Sequence, residues 1–334
     1  MHYPEISVIL PFYNAHKTLK RALRSLAGQT FPYFECLMVD NGSTDSSVAI
    51  ANEFVTSDDR FKLLHEQERG VVPAFLKGIE YARGKFIARM DADDVSMPER
   101  FDLQNRFLQK HPQIDLIAGK VILKSDINNF NTFSRYVEWS NAVLSENDIN
   151  LKQFVELPVI NPTLMWRREI NDKHELYRVG PFPEDYEMVL RWLSKGVRMA
   201  KIDANVLYWY DSDSRLTRTD PRYTEEAFFR IKSFYLAKWL RGRQIPNNKI
   251  MVWGASKKSR KLTQFLYLYG YKPIAYIDIK RTRKLSIPVL YYMEIPSPGG
   301  YFVLVYVFHP EQREKTRCFL IERGYIEGEN FLLV

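Results

Sequence analysis

The sequence predicts an α/β protein, a doubly wound and mainly parallel sheet followed by a smaller Rossmann-like α/β domain. Three observations carry this reading. Short apolar runs alternate with helical stripes at close spacing from Ile6 to Met90. Turn and cap residues divide them, as parallel strands joined by crossover helices require. The same alternation starts afresh at Lys249.

Ile6 to Leu10 reads as a buried strand closed by Pro11 and Asn14. Leu19, Ala22, Leu23 and Leu26 then give the stripe of an amphipathic helix, with Gly28 just past its end. Cys36 to Val39 is the second strand, and Asp40-Asn41-Gly42-Ser43-Thr44-Asp45 is a turn and helix-cap sequence. A helix through Val48, Ala51 and Val55 precedes a strand at Phe61 to Leu64. Another helix covers about Val72 to Ala82, and Phe86-Ile87-Ala88 leads into Asp91. Ser96, Pro98 and Glu99 open a helix through Phe101, Phe107 and Leu108. Residues 115–180 read as strands and loops rich in aromatics. Glu184 to Ser194 is a helix stopped by Gly196, and a strand near Val206 to Tyr210 follows. Asp220-Pro221 caps a longer helix with Phe228, Ile231, Phe234, Tyr235 and Trp239 on one face. This divides the chain into a first domain at 1–220, a linking helix at 221–245 and a second domain at 246–334, with the boundary around Gly242 and Pro246.

The composition is that of a folded protein, 46% hydrophobic and 26% charged. A formal charge of +8 and a pI near 9.2 favour an anionic partner. No RNA-binding signature, zinc-finger spacing or Lys/Arg block is present, so nucleic acid is not the expected partner. Cys36 and Cys318 are isolated, which makes no disulfide framework and suits a reducing cytosol. Met1-His2-Tyr3-Pro4 lacks the layout of a signal peptide. Without an apolar run of about 18 residues, the expected location is cytoplasmic, possible peripheral attachment to the inner membrane face included.

In a parallel sheet, ligands bind beyond the carboxyl ends of the strands. Three polar groups fall there: Tyr13 and Asn14 after the first strand, Asp40 after the second, and Asp91, Asp93 and Asp94 after the fourth. Clustered carboxylates repel, so a cation or a hydrogen-bond network must hold them. Mg²⁺ or Mn²⁺ takes one or two carboxylates together with substrate phosphates. The alternative is that Asp91 to Asp94 only cap the helix that begins near Pro98.

Four segments resemble glycosyltransferase family 2, the inverting transferases of the GT-A fold. They are Ser7-Val8-Ile9-Leu10-Pro11-Phe12-Tyr13-Asn14, Val39-Asp40-Asn41-Gly42-Ser43-Thr44-Asp45, Met90-Asp91-Ala92-Asp93-Asp94 and Pro183-Glu184-Asp185. The resemblance covers about residues 5–220 and implies a GT-A-type sheet. It implies that Pro11, Tyr13, Asn14 and Asp40 line the nucleotide pocket and that Asp91 faces the ribose or diphosphate. Asp93 becomes the principal metal ligand, with Mn²⁺ or Mg²⁺ as cofactor. Asp185 becomes the general base, with Glu184 beside it; helix-dipole stabilisation is the other reading of that pair. Two departures stand out. An Ala-Arg-Asn of the family reads Ala74-Phe75-Leu76 here, which leaves Arg69, Lys77 or Arg89 to supply the charged contact. A family histidine falls at Asp211 in Trp209-Tyr210-Asp211-Ser212-Asp213-Ser214-Arg215-Leu216-Thr217. Asp211 could serve a hard cation there and Arg215 the diphosphate, or the segment is a solvated acidic loop.

In the second domain, Gly254-Ala255-Ser256-Lys257-Lys258-Ser259 keeps only the first glycine of a dinucleotide turn, and Asp278 stands where a ribose-binding acid belongs. The resemblance is to bacterial members that carry such an appended domain. The expected activity is inverting transfer of a sugar from a nucleotide-sugar donor to a hydroxyl of a glycan or lipid-linked acceptor, in surface polysaccharide synthesis. The alternatives are a non-catalytic nucleotide-sugar binder, a nucleotidyltransferase, and an NAD-dependent oxidoreductase centred on the second domain. Pro11-Phe12-Tyr13-Asn14 is not the Gly-rich basic loop that a nucleotidyltransferase needs.

Overall fold

The computed structural model of the protein describes residues 3–125, 130–211, 215–280 and 285–334. It divides into two compact units, one of residues 1–149, 158–180 and 184–220, the other of 150–157, 181–183 and 221–334.

The first unit holds eight strands: β1 Ile6–Phe12, β2 Phe34–Asp40, β3 Phe61–His65, β4 Phe86–Arg89, β5 Val95–Ser96, β6 Leu116–Ser125, β7 Met165–Arg167 and β8 Met199–Asp211. Their order is β3-β2-β1-β4-β7-β6-β8-β5. β3, β2, β1 and β4 run parallel, as do β6 and β8, while β7 runs against both β4 and β6. Every residue of β1 and β2 is buried, the signature of strands covered on both faces. The helix Leu19–Ala27 buries Leu19, Ala22, Leu23 and Leu26, the four residues of its predicted stripe.

The amino ends of these strands are tied by one buried carboxylate. Glu35 accepts from Ser7 Oγ at 2.8 Å, from Lys62 Nζ at 2.8 Å and from the Arg83 guanidinium at 2.9 Å. Burial works against its charge, but these donors outweigh it and lower its pKa. Ser7 Oγ also accepts from the backbone of Gly84 at 2.7 Å, drawing the turn before β4 onto β1.

Residues 115–180 differ from expectation. They include the helices Phe130–Ala142 and Glu146–Lys152 and a short turn of helix at Ile170–Lys173. Aromatic content reads locally as strand, but Phe133 and Tyr136 meet the Trp209 ring at 5.8 and 6.1 Å, so tertiary packing decides.

The second unit is a five-stranded parallel sheet of β9 Ile250–Trp253, β10 Ala275–Asp278, β11 Val289–Tyr291, β12 Phe302–Val305 and β13 Phe331–Leu333. The order β11-β10-β9-β12-β13 is Rossmann-like. The helix Glu225–Gly242, expected to join the domains, belongs to this unit. Its cap is Thr224, whose side chain accepts from Ala227, and not Asp220-Pro221. Its buried face is the predicted one only in part: Tyr235 is buried together with Phe229, Leu236, Ala237 and Leu240, while Phe234 is 43% exposed. Aromatic bulk alone does not fix the face, since Phe229 and Tyr235 turn inward and Phe234 outward.

A Cβ at Gly84 would lie 2.4 Å from the Ser7 backbone nitrogen, where no side chain can yield. Gly84→Ala is expected to destabilise the first unit by about 1–3 kcal/mol, read as a lower urea midpoint at unchanged slope.

Candidate functional site

The site grows from the carboxyl ends of β1, β2 and β4. The register pairs Phe12 with Asp40 and Asp40 with His65, so three strands end level. Past β1 the chain turns sharply at Asn14, whose φ of 47° is in the left-handed region that asparagine tolerates. Asn14 Oδ1 accepts from Thr44 N at 2.8 Å, and its own N donates to Ser43 Oγ at 3.0 Å. Buried Asp40 accepts from Ser43 N at 3.0 Å and meets His65 Nδ1 at 3.4 Å. Pro11 is buried opposite Val39, just below this rim. Tyr13 is 51% exposed, with the Arg69 guanidinium 4.3 Å from its ring centre. Arg69 also donates to Asn41 O at 2.9 Å, and Gly70 N donates to Asn41 Oδ1 at 2.7 Å. Tyr13, Asn14, Asp40 and Arg69 therefore stand together beyond the ends of β1 and β2.

Beside it, Asp91, Asp93 and Asp94 each bring a carboxylate oxygen within 4.8 Å of the others. They do not cap the next helix, which starts at Arg100 behind Glu99. Asp94 is fully buried and accepts from Tyr210 N at 2.8 Å through Oδ1, whereas Oδ2 has no hydrogen-bond partner. Burial, then the charge of Asp93, raises the Asp94 pKa well above the ordinary range. Burial and Asp91 raise that of Asp93. An all-carboxylate set with an orphaned buried oxygen fits a hard divalent cation such as Mg²⁺ or Mn²⁺. The turn itself is clamped by Arg21, which donates to Asp93 O at 2.8 Å and lies 3.6 Å over the Tyr210 ring.

Glu184 and Asp185 open the helix Glu184–Leu193. Asp185 Oδ1 accepts from Tyr186 N at 2.7 Å. Burial pushes its pKa up to about 7, and the neighbouring Glu184 carboxylate adds to the rise. Asp185 also senses Arg89 and Asp91, which ties it electrostatically to the aspartate turn.

Two expected site residues stand elsewhere. Lys77 pairs with Glu80 at 2.8 Å, on the next turn of its own helix. Asp211 lies outside the three-carboxylate group and pairs with Arg218 at 2.6 Å. Arg215 donates to Tyr210 O at 2.8 Å and stacks on Trp209 at 4.1 Å, close enough to the turn for its charge to be felt by Asp93 and Asp94. Ser212, Asp213 and Ser214 lie outside the described residues.

The sequence reading did not foresee the parts played by Arg21 and Tyr177, and it gave Arg89 only as a possible donor contact. Arg89 is 4% exposed and holds Asp91 Oδ1 at 3.0 Å. One signal was available: an arginine inside a buried four-residue strand needs a partner.

A family model described as "Glycosyl transferase family 2" matches residues 7–175. Three curated glycosyltransferase relatives are 27–39% identical over the matched stretch, which spans only 29–58% of their own length. The amylovoran biosynthesis glycosyltransferase AmsE of Erwinia amylovora is 27% identical over 59% of this chain and 72% of its own. Among solved structures, S. aureus TarS 1-349 with UDP-GlcNAc superposes at a TM-score of 0.56 and 19% identity, over 79% of this chain and 71% of TarS. The mannosyltransferase PcManGT of Pyrobaculum calidifontis, with GDP-Man and Mn²⁺, gives 0.50 and 15%, over 80% and 70%. At such identities the structural likeness speaks for the fold alone, which is GT-A type.

Mn²⁺ is expected to raise the melting temperature of the protein, since a ligand that binds only the folded state stabilises it. Thermal-shift titrations of Asp93→Ala should lose that rise, while Asp211→Asn should keep most of it.

Proposed function

The chain belongs to glycosyl transferase family 2, and from that premise we propose that it moves a sugar from a nucleoside-diphosphate donor to a hydroxyl acceptor, with inversion at the anomeric carbon. The observation that carries this is electrostatic: Asp185, its pKa pushed up to about 7 by burial, feels the charge of Asp91 in a turn of three aspartates.

The rim of Pro11, Tyr13, Asn14 and Asp40 takes the nucleoside, Tyr13 offering an aromatic face and Asp40 an acceptor for ribose hydroxyls. Asp91, Asp93 and Asp94 would hold Mg²⁺ or Mn²⁺, and Asp211 could join them only by leaving Arg218. When bound, the cation supplies positive charge that stabilises the departing diphosphate. Arg215 adds a planar pair of donors on the same side. Asp185 accepts the proton of the acceptor hydroxyl while that oxygen bonds to the anomeric carbon. The bond from that carbon to the diphosphate oxygen breaks, and its electron pair leaves with the nucleotide. Attack from the face opposite the leaving group inverts the centre, and no covalent sugar–enzyme species is formed. Glu184, by its charge, keeps Asp185 a stronger base than a solvated aspartate.

The relative AmsE is named for amylovoran biosynthesis, which supports a glycan or lipid-linked acceptor in surface polysaccharide synthesis. Among the described residues no helix is long and apolar enough to cross a membrane. A lipid-linked acceptor would then be met at the bilayer surface, and Lys238, Arg241 and Arg243 offer cations for anionic headgroups. The second reading, a binder without turnover, has against it the retention of both Asp185 and the aspartate turn.

A screen of UDP, GDP, CDP and TDP with Mn²⁺ by thermal shift identifies the donor base. With the sugar donor of that base, Asp185→Asn should lower kcat by about 10²–10⁴ and leave the affinity for nucleotide·Mn²⁺ unchanged. Because the base must be unprotonated, turnover should be full above about pH 7 and fall as the pH drops through that value. Tight nucleotide binding with no wild-type turnover at any pH would favour the binder instead.

A further inference from the structure

Arg89 has a burial and a set of contacts that no step above uses. Its guanidinium lies between the rings of Phe75 and Tyr177, 5.3 and 5.1 Å from their centres. Nε and an Nη each reach the same oxygen of Asp91, Oδ1, at 3.0 Å. Tyr177 is fixed in turn, donating to Asn161 Oδ1 at 2.7 Å. The backbone of Arg89 is pinned on both sides: its N donates to Leu164 O at 3.0 Å, and its O accepts from buried Arg100 at 2.8 Å. A guanidinium so packed has no rotational freedom to follow a substrate, and it cannot be screened by solvent.

Burial opposes a charge at this place, yet the surrounding groups more than offset it and raise the Arg89 pKa. Asp91, Tyr177 and Glu184 favour the charged form. The same guanidinium favours the charged form of Asp185. One fixed cation thus holds the oxygen of a metal-turn aspartate and acts on the carboxylates at the head of the helix Glu184–Leu193.

We propose that Arg89 is a positioning residue, aiming the Asp91 carboxylate at the metal through its two donors and supplying a fixed positive charge that acts on Asp185. The inference rests on the glycosyl-transfer reading above for the role of Asp185, but its metal half does not. A scaffold arginine would contribute only packing in the Phe75–Tyr177 slot. A positioning arginine separates into geometry and charge, and two substitutions separate them. Arg89→Lys keeps the charge and loses the paired donors. Arg89→Met keeps the volume and loses the charge.

The experiment measures Mn²⁺ affinity by calorimetry, with no nucleotide present, and the pH dependence of kcat. Thermal melting shows whether each variant is folded. Arg89→Lys should weaken Mn²⁺ by roughly tenfold, as partners of metal ligands do, with the acid limb of kcat unmoved. Arg89→Met should move that limb upward by about a unit, because burial, Glu184 and Asp91 disfavour the charged form of Asp185, and Arg89 with the Tyr186 amide opposes them. Wild-type Mn²⁺ affinity in Arg89→Lys would overturn the proposal, and so would an unmoved limb in a folded Arg89→Met. Should Arg89→Met not fold, the Mn²⁺ affinity of Arg89→Lys decides alone. If the wild type transfers no sugar while Arg89→Lys still loses Mn²⁺, the transfer reading fails and the positioning of Asp91 stands.

Discussion

Carboxylate crowding is the constraint on which the catalytic unit depends. Asp91, Asp93 and Asp94 stand within 4.8 Å of one another, and Glu184 and Asp185 act on the same region. Five acids so close cannot all be ionised without counter-charge. The protein answers with cations that are themselves held rigidly: Arg89 against Asp91, Arg21 on the Asp93 carbonyl, and Arg215 anchored on Tyr210. Arg100 shows the cost of such service, since burial lowers its pKa to about 10 even with Asp94 and Asp91 nearby. Burial, and the repulsion left over after these partners, raise the pKa values of Asp93, Asp94 and Asp185. A cation in the turn would relieve the first two, and an acceptor proton would satisfy the third.

Tyr210 converts that local balance into architecture. Its N–H serves Asp94, its carbonyl takes Arg215, and its ring lies under Arg21. One residue of β8 therefore connects the helix Leu19–Ala27, the aspartate turn and the segment that follows the strand. Arg215 and the aspartate turn are thus fastened to the same residue. The next residue, Asp211, is taken by Arg218.

How much of this was legible follows from the range of the forces involved. β1, β2 and β4 were readable because burial on both faces favours a continuous apolar run, and the stripe of Leu19–Ala27 needs only the period of one helix. The strand ends were readable too, so Tyr13, Asn14, Asp40 and the aspartate turn could be placed on one rim. The helix Phe130–Ala142 was not, because its aromatics answer to Trp209, far along the chain. Nor was the pairing of Lys77 with Glu80 or of Asp211 with Arg218: each needs a rotamer, and sequence gives only a position. The helix Glu225–Gly242 was legible in part for a related reason, since its aromatics divide between the buried face, with Tyr235, and the exposed one, with Phe234.

The chain contains its own control for what makes a strand-end turn a site. Gly254, with φ of 120°, turns past β9 where a Cβ would sit 2.7 Å from Tyr306 O, so the backbone is as tight as any phosphate cradle. Yet this turn satisfies itself. Ser256 Oγ accepts from Ser259 N at 3.0 Å, the two hydroxyls lie 2.7 Å apart, and Ser259 Oγ donates to Tyr306 O at 3.0 Å. An amide that a pyrophosphate would need is already taken. Past β4 the opposite holds, for Asp94 Oδ2 is buried and lacks a partner. An orphaned buried oxygen is costly for a fold, and natural chains retain one where a ligand completes it. Backbone shape is common to the two turns. Unmet hydrogen-bonding capacity in the turn itself distinguishes them, which is the ground for proposing that Asp91–Asp94 take a ligand.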